Sequence, residues 1–300
     1  MRPSGLQGVI APTPTPFDPD SGDLAPVALR QLARALLAAG LDGLVVAGST
    51  GEGELLDDAE RVQLVEWLRD VVPEERWLIA GAGAESTRGT IRLCEAVGAA
   101  GADAALVRPP AYYGTVLPPA ALAEHYRRVA DASPVPLIVY NIPKYTHVML
   151  HDTVLRALAE HERVVGFKDS SGDLKVLAGY RAAAPRLASL VGSGSQFYPA
   201  LELGAAGGVL AIACFAAEPC AALYAAFRAG DRPGAGALQE RLDPLAREIV
   251  GALGPAGIKA AMDAVGLPGG PVRSPLVPLD ARQLARVAAC LAAAGLLAAA

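Results

Sequence analysis

The amino-acid sequence predicts an α/β fold: a (β/α)8 barrel with a helical C-terminal extension. Three observations carry that expectation. Short apolar runs alternate with helical patterns eight times within about 220 residues, the length one such barrel uses. The runs are continuously apolar rather than alternating, as strands covered by helices on both faces must be. The rival fold, a doubly wound sheet, would need a glycine-rich fingerprint after a strand. The nearest candidate, Gly81-Ala82-Gly83-Ala84-Glu85-Ser86, ends in serine instead of glycine or alanine.

In chain order, the first strand spans residues 8–12 and gives way to the proline-rich stretch 12–16. Residues 27–39 set Leu29, Leu32, Ala33, Leu36 and Leu37 at helical spacing, and Gly40 follows as a C-cap. The next units are strand 43–47 with helix 57–71, strand 77–80 with helix 87–99, and strand 104–107 with helix 118–130. Then come strand 136–140 with helix 152–160, strand 164–167 with helix 174–184, and strand 189–191 with a short helix 197–203. An eighth strand is expected at 208–212. Residues 1–217 are therefore expected to form the barrel that carries the active site. Residues 218–300 show no strand signal and read as added helices near 219–229, 235–251, 257–264 and 280–297.

Composition narrows the function. The net charge is −5 and no Lys/Arg run stands out, which argues against a nucleic-acid partner. Cys94, Cys214, Cys220 and Cys290 form no C-x-x-C pair and read as small buried apolar groups in a reducing, cytoplasmic compartment. Met1-Arg2-Pro3-Ser4-Gly5 lacks a secretory apolar segment, and the apolar tail 287–300 is shorter than the roughly 20 residues that span a bilayer. No membrane partner is expected. His147 and His151 are four apart, but no Glu follows His147 and no third ligand is near, so no metal is expected. The expected chemistry needs no cofactor.

In a barrel of this type the active site lies at the C-terminal ends of the strands, and four segments place reactive side chains there. Lys168, in Val164-Val165-Gly166-Phe167-Lys168-Asp169-Ser170-Ser171-Gly172, would enter a largely dry interior. Burial disfavours an ammonium, and a neutral amine can attack a ketone to form a Schiff base. The plainer reading is an ion pair with Asp169. In Gly48-Ser49-Thr50-Gly51-Glu52 two glycines flank two hydroxyls, a turn that could hold a small carboxylate; an ordinary helix-capping turn is the alternative. Tyr140, in Val139-Tyr140-Asn141-Ile142-Pro143, could pass protons to a reacting atom, or be a core tyrosine with its hydroxyl at the rim. Arg108-Pro109-Pro110-Ala111-Tyr112-Tyr113 offers a second phenol, and Arg108 reads better as a snorkelling surface side chain than as an anion contact.

The combination of Gly48–Glu52, Tyr140–Pro143 and Gly166–Gly172, in this order, resembles the dihydrodipicolinate synthase / N-acetylneuraminate lyase family of pyruvate-dependent class I aldolases. The resemblance runs from residue 8 to Gly269-Gly270-Pro271. Within the family, Gly83-Ala84-Glu85-Ser86-Thr87, Gly101-Ala102-Asp103-Ala104-Ala105 and the Lys168-Asp169-Ser170 run look most like the 4-hydroxy-2-oxoglutarate aldolases and related 2-keto-3-deoxy sugar acid aldolases. It implies Lys168 as the Schiff-base lysine, Tyr140 as proton relay, and Ser49 and Thr50 as the pair that holds the pyruvate carboxylate. It implies Tyr112, or its neighbour Tyr113, as a relay tyrosine lent across a subunit contact in a homotetramer built as a dimer of dimers. It implies Gly192 and Leu210 as backbone positions lining the pocket. The expected activity is a carbon–carbon lyase acting on pyruvate and 4-hydroxy-2-oxo acids with aldehyde partners. Alternatives are 4-hydroxy-tetrahydrodipicolinate synthase, a 2-keto-3-deoxy sugar acid aldolase or dehydratase, and a non-catalytic keto-acid binding barrel.

Departures from the family pattern concern the second substrate. The synthases carry an arginine two residues after the proline of the tyrosine motif, to grip a substrate carboxylate; here that position is Tyr145. Ser193-Gly194-Ser195 replaces an acidic pair common in the synthases. Lys144 or Tyr145 is expected to touch the distal end of the substrate, although an exposed loop lysine is an equally good account of Lys144.

Overall fold

The computed structural model describes residues 5–297, and the statements below concern those residues. Eight parallel strands close into a barrel: β1 Gly8–Pro12, β2 Gly43–Val46, β3 Trp77–Gly81, β4 Ala104–Val107, β5 Leu137–Asn141, β6 Val164–Asp169, β7 Ala188–Val191 and β8 Gly207–Val209. Each strand pairs with the next, and β8 returns to β1. The fold is the expected (β/α)8 barrel.

Strand alternation sorts the apolar residues into two cores. Ile10, Val45, Ile79, Leu106, Ile138, Tyr140, Leu190 and Val209 fill the barrel interior. Val9, Ala11, Leu44, Val46, Ala105, Val107 and Phe167 face outwards into the larger layer between strands and helices. The same alternation decides the direction of two charged neighbours on β6. With Phe167 in the outer layer, Lys168 turns inwards and Asp169 turns outwards.

The surrounding helices follow the apolar spacing. Pro26–Ala38 buries Leu29, Leu32, Ala33 and Leu36. Asp58–Arg69 begins with a capping box between Asp57 and Glu60. Helix Ala217–Arg228 follows β8, as the βα order requires, and buries Cys220 and Leu223 against the barrel.

The main differences from the sequence expectation fall in the last third of the chain. The eighth strand stops at Val209, and the chain coils into a 3-10 turn at Ala211–Cys214 instead of running on to residue 212. The helix expected over 235–251 is Arg232–Leu245 followed by a π turn, Ala246–Gly251, just beyond Pro244. A proline inside a helix removes one ladder hydrogen bond, and a widened turn accommodates that loss. In Ala252–Ala264, Gly254 adopts φ +59° before Pro255, so the regular helix starts beyond the kink. The last helix is Ala281–Ala293, capped by Asp280; positions 298–300 of the expected helical tail lie outside the described residues.

Candidate active site

Barrel register brings the two leading candidates together. β5 and β6 pair with Tyr140 opposite Lys168. The Lys168 ammonium lies 4.2 Å from the centroid of the Tyr140 ring, and both side chains are buried. Lys168 forms no ion pair and no hydrogen bond among the described residues. Asp169, the plainer partner, is committed elsewhere: it accepts from Asn141 Nδ2 at 2.7 Å, and from the Ser171 hydroxyl at 2.7 Å and amide at 3.1 Å. Burial raises the Asp169 carboxyl above its ordinary value, and those three donors offset part of the rise.

A cavity of about 170 Å³ opens on Lys168 and Tyr140. Ser49 and Thr50 line it too, and neither hydroxyl has a hydrogen-bond partner among the described residues. Its size suits a small organic acid better than the larger ligands for which pockets of roughly 300–1,000 Å³ are usual.

Gly192 also lines the cavity, and its place is fixed by crowding. A Cβ there would fall 1.9 Å from Ser170 Oγ and 3.0 Å from Lys168 Cε. Leu210, expected as a backbone position, turns its side chain away from the cavity. Val209 and Ala211 line the cavity, while the Leu210 side chain packs in the outer core and its amide donates to the Ile10 carbonyl at 3.0 Å. The reason is again alternation: Val209 faces the barrel interior, so its neighbour turns away.

The turn that carries Ser49 and Thr50 is held from several sides. Ala47 takes φ +51° and Glu52 takes φ +56°, both in the left-handed region. Gly53 packs so closely that a Cβ would meet the Ala47 carbonyl oxygen at 2.1 Å. The Thr15 hydroxyl donates to the Gly51 carbonyl at 2.6 Å. Buried Arg61 donates to the carbonyls of Gly53 and, at 3.2 Å, of Gly81; burial lowers its guanidinium below the ordinary value. Glu52 extends into the core and pairs with Lys259 at 2.6 Å. Sequence reasoning passed over Lys259. The available signal was a single lysine within the otherwise apolar stretch Ile258-Lys259-Ala260-Ala261-Met262.

A second chamber of about 330 Å³ adjoins the first and shares Ser49, Ile142, Tyr145 and Pro255 with it. Arg108 lies here, and is neither a free anion contact nor a snorkelling surface side chain. Its guanidinium makes two bonds to Glu54, at 2.8 and 2.7 Å, and pairs with Glu85 at 2.9 Å. Lys144, on the short helix Pro143–Thr146, donates to the Gly251 carbonyl at 2.8 Å. Tyr145 is 48% exposed, and its partial burial raises the phenol above its ordinary value. Tyr112 and Tyr113 stand apart from both chambers, at 81% and 67% exposure, packed edge-to-face on each other. The structure of one chain thus brings together Lys168, Tyr140, Ser49, Thr50 and Gly192, and leaves Tyr112 outside. His147 ends the helix Pro143–Thr146 and His151 caps Asp152–Leu158, so the two histidines belong to different elements.

Comparison with known proteins fits this geometry. Residues 5–294 match the Dihydrodipicolinate synthetase family. The chain belongs to that family. An uncharacterized DapA-like lyase of Halobacterium salinarum is 42% identical over 299 residues, covering 98% of this chain and 96% of the relative. A 4-hydroxy-tetrahydrodipicolinate synthase of Streptomyces coelicolor is 42% identical over 273 residues, covering 89% and 87%. Among solved structures, the prophage protein YagE of E. coli K12, in complex with pyruvate, superimposes with a TM-score of 0.92 at 28% identity, covering 98% of this chain and all of that one. As a member of the dihydrodipicolinate synthetase family, the chain is an aldolase-type lyase acting on small molecules. No helix among the described residues is long and apolar enough to cross a membrane.

Proposed function

We propose that this lyase works through a Schiff base on Lys168, with pyruvate as the keto acid formed or consumed. One observation carries the reading: a buried lysine without an ionic partner opens on a small cavity beside a phenol and two unpaired hydroxyls. Lys168 Nζ attacks the C2 carbonyl of a 4-hydroxy-2-oxo acid, and loss of water gives the protonated iminium. Tyr140 gives its phenolic proton to the hydroxyl that leaves as water, and the phenolate then takes the proton of the C4 hydroxyl as the C3–C4 bond breaks. The electron pair of that bond moves to the iminium, the aldehyde leaves, and an enamine remains. Protonation at C3 and hydrolysis release pyruvate and the free lysine. Ser49 and Thr50 hold the carboxylate throughout, which fixes the reacting pose. Tyr112 reaches a relay only from a second copy of the chain, in the expected tetramer.

The aldehyde is the open half. The second chamber holds one cation, Arg108, already faced by two carboxylates. An aldehyde with an uncharged tail suits that wall, as in cleavage of a keto-deoxy sugar acid. A second reading is favoured by the name of the Streptomyces relative: condensation of pyruvate with an amino-acid semialdehyde, as in 4-hydroxy-tetrahydrodipicolinate synthesis.

Borohydride reduction with pyruvate, followed by mass spectrometry, tests the first step. The expected result is one covalent adduct on Lys168; its absence overturns the proposed Schiff base with pyruvate. Coupled assays of pyruvate with glyceraldehyde and with aspartate semialdehyde then separate aldolase from synthase.

A further inference from the structure

We propose that the buried pair Glu52–Lys259 positions the carboxylate-holding turn, and that the C-terminal extension is thereby part of the active site. This rests on the Schiff-base reading above and adds residues outside the cavity to it. The cavity has two walls that come from distant parts of the chain. One is the turn bearing Ser49 and Thr50; the other is the kinked helix Ala252–Ala264, which supplies Gly254, Pro255 and Ile258. Glu52 lies two residues after Thr50, and Lys259 directly follows Ile258. Their ion pair at 2.6 Å, with side chains 0% and 2% exposed, is therefore a tie between the two walls.

The surroundings of the tie are built to hold it. Glu52 takes its other contact from the Arg273 amide at 2.7 Å, and Lys259 also donates to the Pro271 carbonyl at 2.5 Å. The Lys259 ammonium and the Arg273 guanidinium both lie against the Phe17 ring, at 4.5 and 4.2 Å from its centroid. Arg273 binds Glu60 through two bonds of 2.7 Å. The Glu52 amide closes the turn onto the Ser49 carbonyl at 3.3 Å, so a shift of the Glu52 carboxylate moves the backbone that presents both hydroxyls. Burying two charges is costly, and a well-packed apolar pair would serve stability at least as well. Position accounts for the pair better than stability does: it fixes the separation of two cavity walls.

The test compares Lys259→Met and Glu52→Gln with the wild-type protein. Arg69→Met, which breaks the remote pair with Asp103, serves as the control for general destabilisation. The readouts are the pyruvate concentration that half-saturates borohydride-trapped adduct on Lys168, and KM and kcat for the aldehyde substrate that the wild type turns over. Both pair variants are expected to need about ten times more pyruvate, with limiting adduct and kcat within threefold of wild type. The control is expected to lose melting temperature alone. If Lys259→Met does not fold, Glu52→Gln carries the test, because it keeps the shape of the side chain and an acceptor for the Arg273 amide. A lowered melting temperature with an unchanged pyruvate requirement overturns the proposal. So does a loss of kcat at unchanged half-saturation. Failure of the wild type to form any adduct strikes the Schiff-base reading instead, so the two failures are told apart.

Discussion

Replacing Tyr145 by arginine should redirect the enzyme towards anionic aldehydes. The side chain stands on the wall shared by the two chambers and is 48% exposed. The acidic residues lining the second chamber are engaged elsewhere: Glu54 and Glu85 face Arg108, and Glu52 pairs with Lys259. Two unit charges about 4 Å apart attract by about 1 kcal/mol in water and about 4 kcal/mol at the effective dielectric near a protein surface. Half exposure and the neighbouring Lys144 ammonium, 5.4 Å from the Tyr145 ring centroid, pull the value towards the lower limit. A gain of about 1–2 kcal/mol corresponds to roughly 5–30-fold in relative kcat/KM. Succinic semialdehyde and butanal share a chain length and differ in the carboxylate, so the ratio of their kcat/KM values with pyruvate isolates the charge. The expected outcome is a rise of that ratio by the stated factor in Tyr145→Arg. An unchanged ratio, with the pyruvate adduct on Lys168 intact, would show that the tail of the aldehyde does not pass this wall.

Four further outcomes are expected. Gly192→Ala should cost about 1–3 kcal/mol by overpacking and sharply reduce adduct yield, because the new methyl collides with Ser170 and crowds Lys168 Cε; urea denaturation and borohydride trapping measure the two effects. Burial pushes Cys94 to about 12 and Cys214 and Cys220 higher still, so a thiol reagent at pH ~8, near the ordinary thiol value, should label only the partly exposed Cys290 in the native protein. Native labelling of two or more thiols contradicts this. Asp169 has a folded pKa raised above 3.8, so its neutral form is the one the fold favours. Stability from this group is full below the unfolded value and is lost as pH rises through the folded one; Asp169→Asn should therefore gain on wild type between pH ~4 and neutrality in urea denaturation. Lys144→Met should leave the aldehyde KM within about twofold, since the ammonium is spent on the Gly251 carbonyl; a loss of tenfold or more, about 1.4 kcal/mol, would assign Lys144 to the distal substrate.

The barrel was legible because its strands are continuously apolar and buried, and a period is what a sequence displays best. Lys168 and Tyr140 were legible because each lies at the end of such a run, and adjacent strands in a closed barrel are bound to meet. Three things were hidden, each for a physical reason. Helix interruption at the π turn 246–251 leaves apolar spacing almost unchanged, so only Pro244 hinted at it. Arg108 reads as a surface residue until Glu54 and Glu85, from two other loops, are seen to enclose it. The Glu52–Lys259 pair joins residues at opposite ends of the chain, and no local pattern records such a contact.

The same distinction explains why membership of the family says more about one half of the reaction than the other. Lys168 and Tyr140 sit on neighbouring strands whose register is fixed by backbone hydrogen bonds, so moving either would mean rebuilding the barrel. The unpaired hydroxyls of Ser49 and Thr50 sit on a turn clamped by Arg61, Thr15 and the Glu52–Lys259 tie. Parts fixed in this way resist drift, because a change in either disturbs strand pairing or a buried contact. Tyr145, Lys144, Arg108 and Glu54 come from loops and short helices whose backbone serves no strand pairing. A change there reshapes the second chamber while leaving Lys168 and the Ser49–Thr50 turn in place. The aldehyde must therefore be read from loop residues in each chain, and on the Schiff-base reading proposed above the residue to test first in this one is Tyr145, on the wall shared by the two chambers.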